Sequence, residues 1–157
     1  RTYRYFRGEP LFAFGHGLSY TTFEFDNLHI DPSKVEAGGE VAISADVTNT
    51  GDRTGDEVVQ LYVRHPDATV PRPIKELKGF KRITLQPGEC KTVTFALHTH
   101  QLGYYNEAMR YVVQPGTVEA MVGCSSGRLP LTGAFEIVGQ TTDASDDKVF
   151  FSRIEIE

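Results

Sequence analysis

A chain of 157 residues has the size of one domain with short extra segments at its ends, and 39% hydrophobic residues are enough for a packed core. A formal net charge of −5 and the lack of a basic stripe argue against nonspecific nucleic-acid binding, and no apolar run is long enough to span a bilayer. The 15 glycines and 8 prolines point to a turn-rich, mostly β chain.

The opening residues, RTYRYFRGEP, lack the apolar region of a signal peptide. A start on arginine reads as a fragment or a processed chain, so this end assigns no compartment. Next comes EPLFAFGHGLSYTTFEFDNL, which gathers Leu11, Phe12, Phe14, Leu18, Tyr20, Phe23 and Phe25 around Gly15 and Gly17 without a clear period. Such a ribbon is either one half of a junction or a site.

TTFEFDNLHI supplies the first strand, with His29 on its polar side. In EVAISADVTN, Val41, Ile43, Ala45 and Val47 alternate with Ala42, Ser44, Asp46 and Thr48, which is a strand with one buried face. The loop that follows clusters Asp52, Asp56 and Glu57 with Gly51 and Gly55. Its oxygen ligands could suit calcium, but the spacing is not that of an EF-hand, and a solvated turn is the expected reading. EVVQLYVR alternates Val59, Leu61 and Val63 with Val58, Gln60 and Tyr62, so both faces are partly apolar, which predicts a central strand.

HPDATVPRPIKE holds Pro66, Pro71 and Pro73, which forbid a regular central strand and predict a long extended loop. LKGFKRITL and KTVTFALH, joined by Pro87-Gly88, read as a hairpin with a type II turn, and Val93, Phe95 and Leu97 form the inward face of its second strand. MRYVV and VEAMVG, joined by Pro115-Gly116, read as another hairpin. HQLGYYNEAM is a short turn or a bent edge strand. LTGAFEIVG gives one more strand, and the acidic linker through Asp143, Asp146 and Asp147 leads to VFFSRIEIE, an extra strand or a docking peptide. The sum is an all-β, antiparallel sandwich of about seven strands with no helix of ordinary length.

Chemistry is hard to find in these residues. No nucleophile–base pattern, phosphate loop or zinc-helix motif is readable. His98 and His100 share a strand end, but a zinc site needs a further ligand, and nothing brings His65 to them. Cys90 and Cys124 fit no metal spacing and read as free thiols. No catalytic residue, metal or cofactor is expected. Among aromatics, Tyr104 and Tyr105, with Tyr62 and Tyr111 behind them, could stack on sugar rings. The absence of tryptophan weakens that reading, and the alternative is that they cap the sandwich through their hydroxyls.

Residues 10–25 (PLFAFGHGLSYTTFEF), 49–66 (NTGDRTGDEVVQLYVRHP), 70–89 (VPRPIKELKGFKRITLQPGE) and 112–126 (VVQPGTVEAMVGCSS) resemble, in order, the connector and the C-terminal fibronectin type III-like domain of family 3 glycoside hydrolases, the β-glucosidases and β-xylosidases. The resemblance covers residues 1 to about 138. It departs from the family where Ala13 replaces a frequent Pro and His16 a frequent Tyr, and where Cys90 and Cys124 replace small residues. It implies an immunoglobulin/fibronectin type III-like fold, with residues 1–20 as a connector from a catalytic domain, 21–139 as the domain itself and 140–157 as an acidic linker and tail. It also implies that the catalytic Asp and Glu lie upstream, so this chain alone is no enzyme.

The partners implied are the catalytic domains of the same polypeptide, docked through Phe12, Phe14, His16, Leu18 and Tyr20 of the connector and through Arg72, Pro73 and Lys75 of the loop. Arg72 and Lys75 either pair across that interface or only shape a solvated loop. The competing function is an accessory module for plant polysaccharide or lignin, through Tyr104, Tyr105 and scattered basic residues such as Lys78, Lys81 and Arg82. The compartment is not assigned, and secretion or a periplasmic site stays open for the parent enzyme.

Overall fold

Alternating apolar residues set the strands, and the computed structural model, which describes residues 3–67 and 71–157, holds twelve strands among those residues. In chain order they begin with β1 (Phe23–Asp31), β2 (Lys34–Glu36), β3 (Glu40–Asn49), β4 (Gly55–Arg64), β5 (Glu76–Leu85) and β6 (Cys90–His98). After a 3-10 turn at Thr99–Leu102 come β7 (Tyr104–Tyr105), β8 (Tyr111–Val113), β9 (Gly116–Gly123), β10 (Leu131–Val138), β11 (Thr142–Asp143) and β12 (Arg153–Ile156).

One sheet has the order β1-β3-β6-β12 and the other β2-β10-β9-β4-β5, with a small third sheet β11-β8-β7. Pairing is antiparallel throughout except between β2 and β10. The seven strands of eight residues or more carry an all-β sandwich, as the alternation predicts. Val41, Ile43, Ala45 and Val47 of β3 and Val93, Phe95 and Leu97 of β6 are fully buried in one core with Val59, Leu61 and Val63 of β4 and Val118, Ala120 and Val122 of β9. β4 lies between β5 and β9, the central place that its two partly apolar faces predict.

Two expected hairpins are absent. β5 pairs with β4 in one sheet, whereas β6 pairs with β3 and β12 in the other. The Pro87-Gly88 turn therefore carries the chain from sheet to sheet. Its local chemistry is as expected: Glu89 N donates to Gln86 O at 3.0 Å, and Gly88 has φ +75°, where a side chain would be strained. Likewise β8 pairs with β7 and β11, while β9 pairs with β10 and β4. A tight turn says that the chain reverses, and the burial pattern says that each strand has one inner face. Neither says whether the reversal stays in the sheet or crosses the core.

The tail returns to the sandwich. β12 pairs with β6, Ile154 packs against the core, and Ser152 donates to Lys78 O at 3.0 Å. Among the described residues the one helical element is the 3-10 turn, which takes up the start of HQLGYYNEAM, and β7 follows it in the same stretch.

Asn49, fully buried at the end of β3, ties Thr21, both sheets and the inter-sheet turn together. Its amide nitrogen donates to the carbonyls of Arg53 (2.7 Å) and Leu85 (2.9 Å), and its side-chain oxygen accepts from Thr21 Oγ1 (2.7 Å) and Gly51 N (3.1 Å). Its backbone donates to Glu89 O and accepts from Gly88 N. Asn49→Ala leaves several of these groups without a partner, at about 1–3 kcal/mol for each that stays dry. The expected loss in urea unfolding is about 2–4 kcal/mol; a loss within about 0.5 kcal/mol, the range of ordinary surface changes, would mean that water replaces the side chain fully.

Candidate functional site

The candidate site is built on the outer face of β4. A strand in a two-layer sandwich has its second face in water unless something covers it. Here Gln60 and Tyr62, which point away from the core residues of β4, are buried as well. The cover is residues 3–17. The Tyr3 ring stacks on Phe14 at 4.6 Å and meets Tyr62 edge-on at 5.6 Å. Tyr62 donates its hydroxyl to Gln60 Oε1 at 2.7 Å, and burial pushes its phenol pKa up. Gln60 Nε2 in turn donates to Cys124 O at 2.5 Å and lies 3.4 Å from Gly15 O. Gly15 has φ +78°, and a Cβ there would stand 2.5 Å from Gln60 Oε1, so only glycine lets the connector lie this close.

Backbone bonds fasten the same ribbon. Ser126 N donates to Phe14 O (2.8 Å), Ile74 N to Arg4 O (2.7 Å) and Leu77 N to the Tyr3 hydroxyl (3.0 Å). The ribbon is thus held at Tyr3, Arg4, Phe14 and Gly15, yet much of its apolar surface faces outward. Leu11, Leu18 and Tyr20 are more than nine-tenths exposed, and Phe12 and Phe14 are exposed as well. His16 is exposed, with its ring 5.3 Å from that of Phe12. Tyr3, Phe6, Phe12 and Phe14 wall a groove of about 830 Å³ that Lys75 and Ser126 also line.

The loop is held by charge. Glu76 Oε2 lies 3.0 Å from Lys78 Nζ and 3.2 Å from an Arg4 nitrogen, and its Oε1 lies 3.4 Å from Arg72. Burial pushes the Glu76 carboxyl up, but the cations Lys78, Arg72 and Arg4 outweigh it and hold it below its ordinary value. Burial pulls Lys78 below the ordinary lysine range against the pull of Glu76. Arg72 and Lys78 also donate to the carbonyls of Leu102 (2.9 Å) and Gln101 (2.7 Å), which docks the loop on the 3-10 turn. Next to them His65 is held neutral: burial and the nearby Arg72 bring its pKa down to about 3. Its Nε2 is buried without a partner among the described residues.

These contacts place the expected loop residues. The Arg72 side chain turns inward, beneath the molecular surface, and its guanidinium stacks over Tyr104 at 5.0 Å. Pro73 is half-buried beside it. Lys75 is half-buried and donates to Ser126 O. Val70, the first residue of the segment 70–89 read above, lies outside the described residues. Of the tyrosine pair, Tyr105 is exposed while Tyr104 is half-buried, its hydroxyl 2.6 Å from Gln114 Oε1. Lys78 is not a free surface cation but a buried partner of Glu76, and Arg82 pairs with Asp56.

The His98 and His100 rings stand 4.7 Å apart, and no group of three metal-ligating residues occurs among the described residues. Both cysteines are free thiols, Cys90 exposed and Cys124 half-buried. Sequence reasoning did not assign Tyr3, Gln60, Glu76 or Ser126 to the site. The signal for Gln60 and Tyr62 was present in the two-faced character of EVVQLYVR, which demands a cover; nothing local says that residues 3–17 provide it.

A family model described as the fibronectin type III-like domain matches residues 57–126. A beta-xylosidase of Formosa agariphila is 52% identical over 124 residues, which are 79% of this chain and 17% of that protein. A periplasmic beta-glucosidase of Salmonella typhimurium is 42% identical over 139 residues, 87% of this chain and 18% of that protein. The crystal structure of a beta-glucosidase from Listeria innocua in complex with glucose superimposes with a TM-score of 0.78 at 36% identity, over 84% of this chain and 18% of that one. The chain thus spans less than a fifth of the length of these relatives.

Two buried ionisable groups give the site a pH signature. His65 is neutral in the fold and free to protonate when unfolded, so stability is complete above 6.5 and falls as pH drops toward about 3. Glu76, depressed below 4.5, adds its own loss as pH falls below 4.5. His65→Gln is expected to flatten unfolding stability between pH 6.5 and 4.5, read by urea denaturation; an unchanged slope in that window would show that His65 titrates normally. Glu76→Gln strands buried cations and is expected to cost about 3–5 kcal/mol at neutral pH.

Proposed function

The chain belongs to the fibronectin type III-like domains of family 3 glycoside hydrolases, and from that premise we propose that it is a non-catalytic structural domain bracing the catalytic domains of its parent polypeptide. The parent would then be a hydrolase of terminal β-linked sugars, with its chemistry in the part that this chain does not span. The observation that carries this reading is the connector. Its backbone is fastened to Gln60 of β4, to Ile74 and to the Ser126 loop, and its Tyr3 hydroxyl to Leu77 of β5, while Leu11, Phe12, Leu18 and Tyr20 point away from the sandwich. Mobile loops expose apolar groups at little cost, but a fixed ribbon that exposes a run of them has the character of an interface half. Burying one such side chain is worth about 1.5–3 kcal/mol.

The accessory-module reading keeps one observation in its favour, the exposed Tyr105 ring. Its hydroxyl is bonded to Lys148 Nζ at 2.9 Å, and its neighbour Tyr104 lies under Arg72, so the pair offers one ring rather than a platform.

The test uses the parent polypeptide and a Phe12→Asp, Leu18→Asp double variant. Bracing is expected to lower the parent's melting temperature and its half-life of aryl-glycoside turnover, with a loss of coupling of about 3–6 kcal/mol. The same double variant in the isolated chain should melt as the unchanged chain does, because both side chains are already in water. A parent indifferent to both changes contradicts the proposal. Saturable loss of the isolated chain onto cellulose, xylan or lignin, abolished by Tyr105→Ala, would favour the accessory module instead.

A further inference from the structure

Lys75 differs from its charged neighbours. Arg72 and Lys78 share Glu76, and Arg64 meets Glu119 at 3.0 Å. The Lys75 ammonium donates to the Ser126 carbonyl and forms no ion pair among the described residues. Glu9, which lines the same groove, is exposed and does not pair with it. Burial alone pulls Lys75 below the ordinary lysine range, with no carboxylate to raise it again. A second cleft of about 580 Å³ adjoins, lined by Arg7, Arg64, Arg72 and Lys75 with His65 and by no carboxylate. This side of the docking face is therefore apolar on its walls and positive at its edge.

Covering the groove would strip the remaining water from Lys75. A carbonyl oxygen answers one of its three N–H donors and none of its net charge. An ammonium enclosed without a counter-charge costs several kcal/mol, more than one buried apolar side chain returns. Whatever closes the groove must bring a negative charge, or the closure works against itself.

We propose that the rest of the parent polypeptide caps this groove with an apolar segment bearing an aspartate or glutamate, whose carboxylate pairs with Lys75. The inference rests on the bracing reading and adds the chemistry of the partner to it. Charge complementarity selects an acidic group. The chain's share of its relatives, 17–18% of their length, leaves ample polypeptide to supply one.

The experiment treats the parent polypeptide with a zero-length carbodiimide, which joins an amine to a carboxylate only in direct contact, and maps the products by mass spectrometry. In a parallel sample, benzoylphenylalanine placed at Phe12 reports whether the face is covered. The expected result is an amide between Lys75 and an Asp or Glu outside residues 1–157 of the same molecule, together with photo-coupling of Phe12. Lys75→Glu should then lower the parent's melting temperature by a few degrees, and changing the mapped acid to lysine should restore it. The isolated chain with Lys75→Glu should lose less than the parent does, because it gives up only the bond to the Ser126 carbonyl.

Photo-coupling at Phe12 without a Lys75 product, or with Glu9 as its only partner, overturns the inference and leaves bracing intact. Loss of both signals removes the bracing reading as well. A product that joins heavy-isotope and light-isotope molecules in a mixed sample makes a second copy the occupant, and that also overturns the inference.

Discussion

Residues 59–63 of β4 are buried on both faces of the strand, and the packing of residues 3–17 follows from that. Its inner residues Val59, Leu61 and Val63 belong to the sandwich core, and its outer residues Gln60 and Tyr62 are buried as fully by a third layer. Gln60 has an amide that must be satisfied away from water, and the connector and the Cys124 carbonyl satisfy it. Tyr62 offers a ring for Tyr3 to pack against and a hydroxyl that Gln60 accepts. Because these groups are specific in direction, the connector lies in one place. Its unfilled apolar side chains are thereby held in a fixed pattern rather than spread over a mobile tail.

Charge is distributed in the same sense. The Glu76 cluster is a closed account: one carboxylate, three cations and two carbonyls from the 3-10 turn. Removing one member of such a buried set costs about 3–5 kcal/mol, whereas an exposed bridge such as Arg82–Asp56 is worth at most about 1 kcal/mol. The cluster therefore holds the loop and the first residues of the connector together through Arg4. Lys75, one residue away from Glu76, is left out of it and points into the groove.

Strand positions and inner faces were legible in the sequence because alternation is a local property: 41–47, 59–63 and 93–97 are buried in the expected register. The sheet to which each strand belongs was not, since Pro87-Gly88 turns the chain equally well within a sheet or across the core. The connector was recognisable as apolar and aperiodic, and its family resemblance supplied a role for it. Its packing partners were not readable, because Tyr3 meets Phe14, Tyr62 and Leu77 only through the tertiary fold. Arg72 and Lys78 looked like surface cations for the same reason. Glu76, which draws both inward, is four residues from Arg72 in the loop, a spacing that a loop does not convert into contact, and it shares a strand face with Lys78 only because β5 begins at Glu76.

The most direct measurement is amide exchange at Ile74, Leu77 and Ser126, whose N–H groups donate to Arg4, Tyr3 and Phe14 of the connector. It would be made on the whole chain and on one that begins at Thr21. If the connector is a fastened layer, these amides are protected in the whole chain and exchange rapidly when residues 1–20 are absent, while core amides of β3 and β6 stay slow in both. Equal exchange at the three sites in the two chains would contradict the account, because the apolar ribbon would then be a loose tail and its outward side chains would not form a fixed face.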